Sequence, residues 1–360
     1  MAHKPTAHDL SRRHFLRRAS LALGASALAP AFVTGCSAGD GSTPEDPAGR
    51  EDVIEGRDTA PGDDTAPGPD TTASPDVDAP APKPRVALIS DTHVIDSYYV
   101  GPENSPLDTE SILHANERFA AMVERLSTLR VGIDAVFQLG DIIHRYPFDT
   151  LDEFGVRESA IDEAAEGHRA IGVPYHACLG NHDYSFRRFP REATHELFAE
   201  KMGIPPYSGV DLHGFRFLMM NNFLGDSHDI EGDAFDTLVG TFGVEQLEWM
   251  DAQLAEGLPT FVMTHFPVAM CNREEAPGLG FRSLLARHGE NILAVFGGHW
   301  HRWLVRGRRG GEPPSIVMGS TRYSADAAIL MELDPASQTA TFLNEDAWVL
   351  ASHETRPWEG

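Results

Sequence analysis

The chain has 360 residues, 54 of them acidic and 29 basic, and a formal net charge of −25 at neutral pH. That charge is uneven: residues 1–36 carry +4, 37–84 carry −9 and 85–360 carry −20. An acidic globular part repels a phosphate backbone, so nucleic acid is not an expected partner, and three cysteines do not make a disulfide framework.

The chain opens with Ser11-Arg12-Arg13-His14-Phe15-Leu16, paired arginines ahead of an apolar stretch from Leu21 to Val33. The stretch is short and rich in Ala and Gly for a membrane span, and Pro30 and Gly35 would break a buried helix. It resembles a twin-arginine export signal. Val33-Thr34-Gly35-Cys36 follows and looks like the lipobox at which bacterial lipoproteins are cleaved and acylated. Cys36 would then be the lipid-bearing N-terminus; cleavage nearby, giving a soluble protein, is the alternative. Residues 37–84 contain nine prolines and no aromatic side chain. They bury too little apolar surface to offset the entropy of ordering, and read as a flexible tether. Together these segments imply export to the bacterial cell envelope or periplasm, with the folded part held off a membrane.

A single globular domain is expected from 85 to 350, with a short tail over 351–360. Arg85-Val86-Ala87-Leu88-Ile89-Ser90 reads as a strand, and the spacing of Ile112, Phe119, Met122, Val123, Leu126 and Leu129 predicts a helix. Strand Ala135 to Leu139, a helix near Arg157 to Ile171, strand Pro174 to Leu179 and a helix near Arg191 to Met202 follow. This alternation implies a largely parallel sheet with outer helices. Beyond Tyr207 the pattern turns strand-rich: Gly214 to Asn221, Phe261 to His265 after a helix Val244 to Leu254, then Ile292 to Phe296, Trp303 to Val305, Ser315 to Met318, Ile329 to Leu333 and Thr339 to Leu343. The end of this half is expected to be antiparallel. Two packed sheets with helices on both outer faces accommodate both halves.

Five of these strands end in polar donors. Gly180-Asn181-His182-Asp183 closes the Pro174 strand, and the others end in Asp91-Thr92-His93, Gly140-Asp141, Thr264-His265 and Gly298-His299-Trp300-His301. Ligands gather at strand ends in α/β folds. Asp91 and His93 are two apart and should point to one side, as should His299 and His301. Asp91, His93, Asp141, Asn181, His265, His299 and His301 supply seven N and O donors and no thiolate, a set suited to Mn, Fe or Zn. If two ions share seven ligands, one carboxylate bridges.

The order Asp-x-His, Gly-Asp, Gly-Asn-His-Asp, a lone His and Gly-His-x-His resembles the calcineurin-like metallophosphoesterase family over residues 85–301. The resemblance implies a four-layer α-β-β-α sandwich and two divalent or trivalent ions. One ion is held by Asp91, His93, Asp141 and His301, the other by Asp141, Asn181, His265 and His299. It makes His182 the catalytic histidine and Asp183 its partner, fixing its tautomer. The implied reaction is hydrolysis of a small phosphorylated substrate, monoester or diester, by metal-activated water; the alternative is a non-catalytic envelope lipoprotein that binds metal or a phosphorylated ligand. Where purple acid phosphatases have a tyrosine ligand, this chain has His144, and it lacks the Asp-Arg-Gly of the serine/threonine phosphatases. Arg145 could hold phosphate in a bidentate manner, and His144 is a further substrate contact, extra ligand or pocket wall. Arg187, Arg188 and His228 read as solvated loop residues, Trp300 as packing, and pairing of Cys178 with Cys271 is left open.

Overall fold

The computed structural model describes residues 83–343 apart from 130 and 131. The export signal, Cys36, the tail and all of the tether before Lys83 lie outside the described residues. The first described residues are tied to the chain's later part: Lys83 pairs with Asp334 at 2.8 Å, and the Leu333 amide donates to the Pro84 carbonyl at 2.8 Å.

In its first half, strands β1 (Arg85–Ile89), β2 (Ala135–Leu139) and β3 (Tyr175–Cys178) alternate with helices α1 (Pro106–Leu113), α2 (Ala115–Ser127), α3 (Asp152–Val156) and α4 (Ala160–Ile171). Then come α5 (Arg191–Met202), β4 (Ser208–Leu212), β5 (Phe215–Met219), α6 (Val244–Ala255) and β6 (Thr260–Met263). The chain continues with a small hairpin, β7 (Glu274–Ala276) and β8 (Leu279–Gly280), followed by α7 (Phe281–Arg287), β9 (Ile292–Gly297), β10 (Leu304–Arg306), β11 (Ser315–Val317), β12 (Ala328–Asp334) and β13 (Thr339–Leu343).

These strands form a five-stranded sheet, β13-β12-β1-β2-β3, and a six-stranded sheet, β10-β11-β9-β6-β5-β4. Both are mixed. β1, β2 and β3 run parallel, and β12 and β13 return antiparallel beside β1. In the second sheet β5, β6, β9 and β11 are parallel, while β4 and β10 close the edges antiparallel. The parallel strands therefore deliver several chain ends to one rim.

Strand alternation divides the core as the pleat requires. Val86, Leu88, Phe137, Phe217, Phe261, Met263 and Phe296 fill the space between the sheets, where the rings of Phe137 and Phe217 stack at 4.3 Å. Their neighbours Ala87, Ile89, Val136, Leu218, Val262 and Val295 point outward and join the apolar faces of the helices, among them Phe119, Met122, Ile161, Leu247, Met250 and Leu284. The result is the expected four-layer α-β-β-α sandwich.

Two local expectations fail for identifiable reasons. The helix expected from Ile112 to Leu129 is broken at His114, whose backbone leaves helical geometry (φ −104°, ψ 7°). Just beyond the break, Asn116 clamps Ile95, its side chain accepting from the Ile95 amide at 2.9 Å and donating to its carbonyl at 2.7 Å. Strand β4 was hidden because Gly209 and Asp211 are poor strand formers. It forms as an edge partner of β5, with Asp211 accepting two bonds of 2.8 Å from Arg216.

Candidate metal centre

All five polar motifs lie at the carboxyl ends of parallel strands: β1, β2 and β3 of the first sheet, β6 and β9 of the second. Convergence of the paired residues comes from left-handed backbone rather than strand alternation. Asp91, His93, Asp141, His299 and His301 have φ of 52°, 46°, 48°, 66° and 52°. Such conformations are uncommon outside glycine and concentrate at functional sites. Only two other non-glycine residues among those described share them, His213 and Gln338. The turns are packed so closely that a Cβ on Gly180 would fall on the Asp141 amide, and one on Gly298 would strike Ser90 Oγ.

The side chains meet as two groups sharing one carboxylate. Asp91, His93, Asp141 and His301 form the first, and Asp141, His265 and His299 the second. Asp141 Oδ2 lies 3.5 Å from His93 Nε2 and 3.3 Å from His265 Nε2, between the two groups. In the first, His93 Nε2 and His301 Nε2 face each other at 3.1 Å, and His301 Nε2 is 3.2 Å from Asp91 Oδ1. In the second, Asn181 Oδ1 is 3.0 Å from His265 Nε2. Donors that converge on one another without apolar separation, Asp91, His93, Asp141 and His265 buried and Asn181, His299 and His301 half-buried, fit cations in the gaps between them.

Neighbouring groups hold these donors in place. His265 donates through Nδ1 to the Leu139 carbonyl at 2.8 Å, which leaves Nε2 as its ligand atom. The oxygens of Asp141 and Asp91 are directed by backbone amides: His182 donates to Asp141 Oδ1 at 2.8 Å, and His299 to Asp91 Oδ1 at 3.1 Å. Asn222 accepts from the amides of His265 and Phe266, both at 2.9 Å.

Electrostatics separate the histidines. Burial drives His93 well below the ordinary imidazole value against the pull of Asp141, and burial with His265 beside it lowers His299 to about 4. Neutral imidazole is the form that binds metal. Burial also acts to lower His265, but Asp141 and Asp91 outweigh it and raise the ring to about 9. That proton occupies a place that a cation beside Asp141 would take.

Three residues expected at the site have partners of their own. Asp183 does not touch the His182 ring; it is fully buried and accepts from the amides of Ile142, Ile143 and Gly180 at 2.9, 3.0 and 2.7 Å. It pins the Gly180 turn to the turn after β2, and burial together with Asp141 pushes its carboxyl up to about 7. The group that fixes His182 is the His144 carbonyl, 2.6 Å from His182 Nδ1. Arg145 donates through Nη2 to the Val100 carbonyl at 2.8 Å and lies over the Tyr99 ring, contacts that brace that loop. His144 is buried with Nδ1 beside His93 and Nε2 beside Glu103, which makes it neither a pocket wall nor an open phosphate contact; of its expected roles the extra ligand is the one the geometry leaves, since His93, His144 and His182 form a third group whose donors converge.

Of the other residues named from sequence, Arg188 is held by Asp149 and the Tyr146 carbonyl, and His228 Nδ1 by Ser227. Arg187 is exposed in a separate cavity with His228, and Trp300 lines a groove with Arg306 and Leu304. Cys178 and Cys271 are separate buried thiols. Sequence reasoning missed Glu103, Tyr99 and Asn222, which stand in no motif and reach the site only through folding of their loops.

No curated protein matches the sequence. Solved structures similar to the chain include a purple acid phosphatase from yellow lupin (Lupinus luteus) seeds, 16% identical over 68% of this chain and 45% of that one, with a TM-score of 0.41. A phosphopantetheinyl hydrolase from Mycobacterium tuberculosis is 16% identical over 67% and 92%, TM-score 0.38, and a putative 5′-nucleotidase from Staphylococcus aureus is 12% identical over 72% and 52%, TM-score 0.44. The chain thus spans under half of the lupin protein and about half of the staphylococcal one. Residues 84–303 match the calcineurin-like phosphoesterase family in sequence, and with its strand-end donors placed as described, the chain belongs to that family.

Proposed function

We propose that the protein hydrolyses phosphate esters with two metal ions, one held by Asp91, His93, Asp141 and His301 and the other by Asp141, Asn181, His265 and His299. The observation that carries this reading is Asp141 Oδ2, 3.5 Å from His93 Nε2 and 3.3 Å from His265 Nε2, where one carboxylate can serve both ions. Ions there, from Mn, Fe or Zn, supply Lewis-acid polarisation of the ester and ready deprotonation of water. The rest is the work of the chain. His182, its Nδ1–H directed to the His144 carbonyl, presents Nε2 to the leaving oxygen and, as the imidazolium, gives it the proton carried on Nε2, returning to the neutral ring. Asp183 acts at a distance by holding the Gly180 turn against Asp141. The substrate is a small phosphorylated molecule, since the acidic surface opposes nucleic acid.

His182→Ala separates catalyst from binder. It should keep both metals and lower turnover by about 10²–10⁴-fold, the usual share of a positioned acid or base. The loss should be smaller for a nitrophenyl ester, whose leaving group needs little protonation, than for an alkyl ester. Wild-type rates on both esters would show that His182 has no catalytic role, and a wild-type protein that binds metal but turns over neither ester would favour the metal-binding lipoprotein instead. The reading includes export through the paired arginines and anchoring at Cys36; Cys36→Ala should move the protein from the membrane to the soluble fraction, and a native N-terminus found well downstream of Cys36 would refute the anchor.

A further inference from the structure

The two halves of the cluster are supported differently. His265, in the second group, is fixed by the backbone carbonyl of Leu139, a part of β2. His93, in the first, is fixed by side chains. Its Nδ1 lies 3.3 Å from His144 Nδ1; His144 Nε2 lies 3.2 Å from Glu103 Oε1; and the Tyr99 hydroxyl donates to the same Glu103 oxygen at 2.6 Å. The His144 ring also stacks on His182 with centroids 5.1 Å apart.

The partners leave one consistent set of tautomers. A carboxylate only accepts, so His144 Nε2 carries the hydrogen and His144 Nδ1 is that ring's acceptor. The contact between the two Nδ1 atoms is then made by His93 Nδ1–H donating. His93 is left with its lone pair on Nε2, the atom facing Asp141 Oδ2 and His301 Nε2. The reverse assignment would put a hydrogen on Nε2 and remove His93 as a ligand.

We propose that His144 and Glu103 are positioning residues: the line from Tyr99 through Glu103 and His144 sets the ring orientation and tautomer of His93, and so the affinity of the ion held with Asp91, Asp141 and His301. This rests on the dinuclear reading above and adds that the two ions depend on different supports. Groups that orient metal-binding histidines change affinity by about 10–100-fold when removed.

The test titrates the metal-free full-length protein with Zn²⁺ or Mn²⁺ against a chromophoric chelator. Wild type should take up two ions. His144→Phe keeps a ring beside His182 but offers His93 no acceptor, and should weaken one ion by about 10–100-fold while sparing the other. His144→Asn puts an amide oxygen near the place of Nδ1 and should recover most of that loss, which a general packing defect would not allow. Glu103→Ala, on a partly exposed loop, should weaken the same ion and keeps the test decisive if His144→Phe does not fold. Two ions at wild-type affinity in both His144→Phe and Glu103→Ala would overturn the proposal. So would a third ion in wild type that His144→Phe loses, because His144 would then be a ligand. A wild-type protein that binds no ion would instead overturn the dinuclear reading, and this inference with it.

Discussion

His265 and His168 are both buried, at 0% and 3% exposure, and the molecule treats them in opposite ways. His168 lies on α4 against the rings of Tyr175 and Phe119, with centroids 3.6 and 5.0 Å away, and neither ring nitrogen has a hydrogen-bond partner. Burial, with Arg169 adding to it, lowers it to about 3. His265 sits where β6 ends, 3.3 Å from Asp141, and the carboxylates reverse the effect of burial. A hydrocarbon surround only suppresses charge, whereas a buried carboxylate invites it. The first histidine behaves as an aromatic filler, the second as half of a site for positive charge.

The sharpest way to break this contrast is Asp141→Ala, which removes the carboxylate shared by both groups. Both ions and turnover should be lost together; elemental analysis that still found two ions would contradict the shared ligand. His301→Ala should have a smaller effect, depleting the ion of the Asp91 group and leaving the one beside His265. Retention of both ions at wild-type affinity would show that His301 is not a ligand.

The smallest effect belongs to His168→Leu and is read as stability against pH. The folded-state value near 3 lies below the ordinary 6.5. Between these values the unfolded chain binds one proton more than the folded one, so stability falls as pH drops, by at most about 1.4 kcal/mol per pH unit. Above the upper value His168 contributes no pH dependence. His168→Leu should therefore resist acid unfolding better than wild type across that window. Parallel unfolding curves for the two proteins from pH 6 to pH 4 would contradict the assignment.

The sequence exposes one half of this contrast well and the other poorly. Asp91, His93, Asp141, Asn181, His265, His299 and His301 are legible because each ends an apolar run, and the parallel strands carry all of them to one rim. His168 falls in a helical pattern that says only that its face is buried. Glu103 and Tyr99 belong to a loop with no periodicity, so nothing in their spacing points to His144. The resemblance makes Asp183 the partner of His182, but the spacing of the motif cannot show that the short helical turn at Asn181–Asp183 turns the carboxylate back to the amides of Gly180, Ile142 and Ile143. The Ile112 to Leu129 pattern could not reveal the break at His114, which accompanies a clamp on Ile95 from across the fold.

The central claim is that one carboxylate joins two ions into a hydrolytic centre. The most direct measurement is metal content and turnover of an aryl phosphate monoester and its matching diester, made on the same preparations of wild type and Asp141→Ala. The account predicts two ions per chain with turnover of at least one ester in wild type, and neither in the variant. An active wild-type preparation holding a single ion per chain would contradict it.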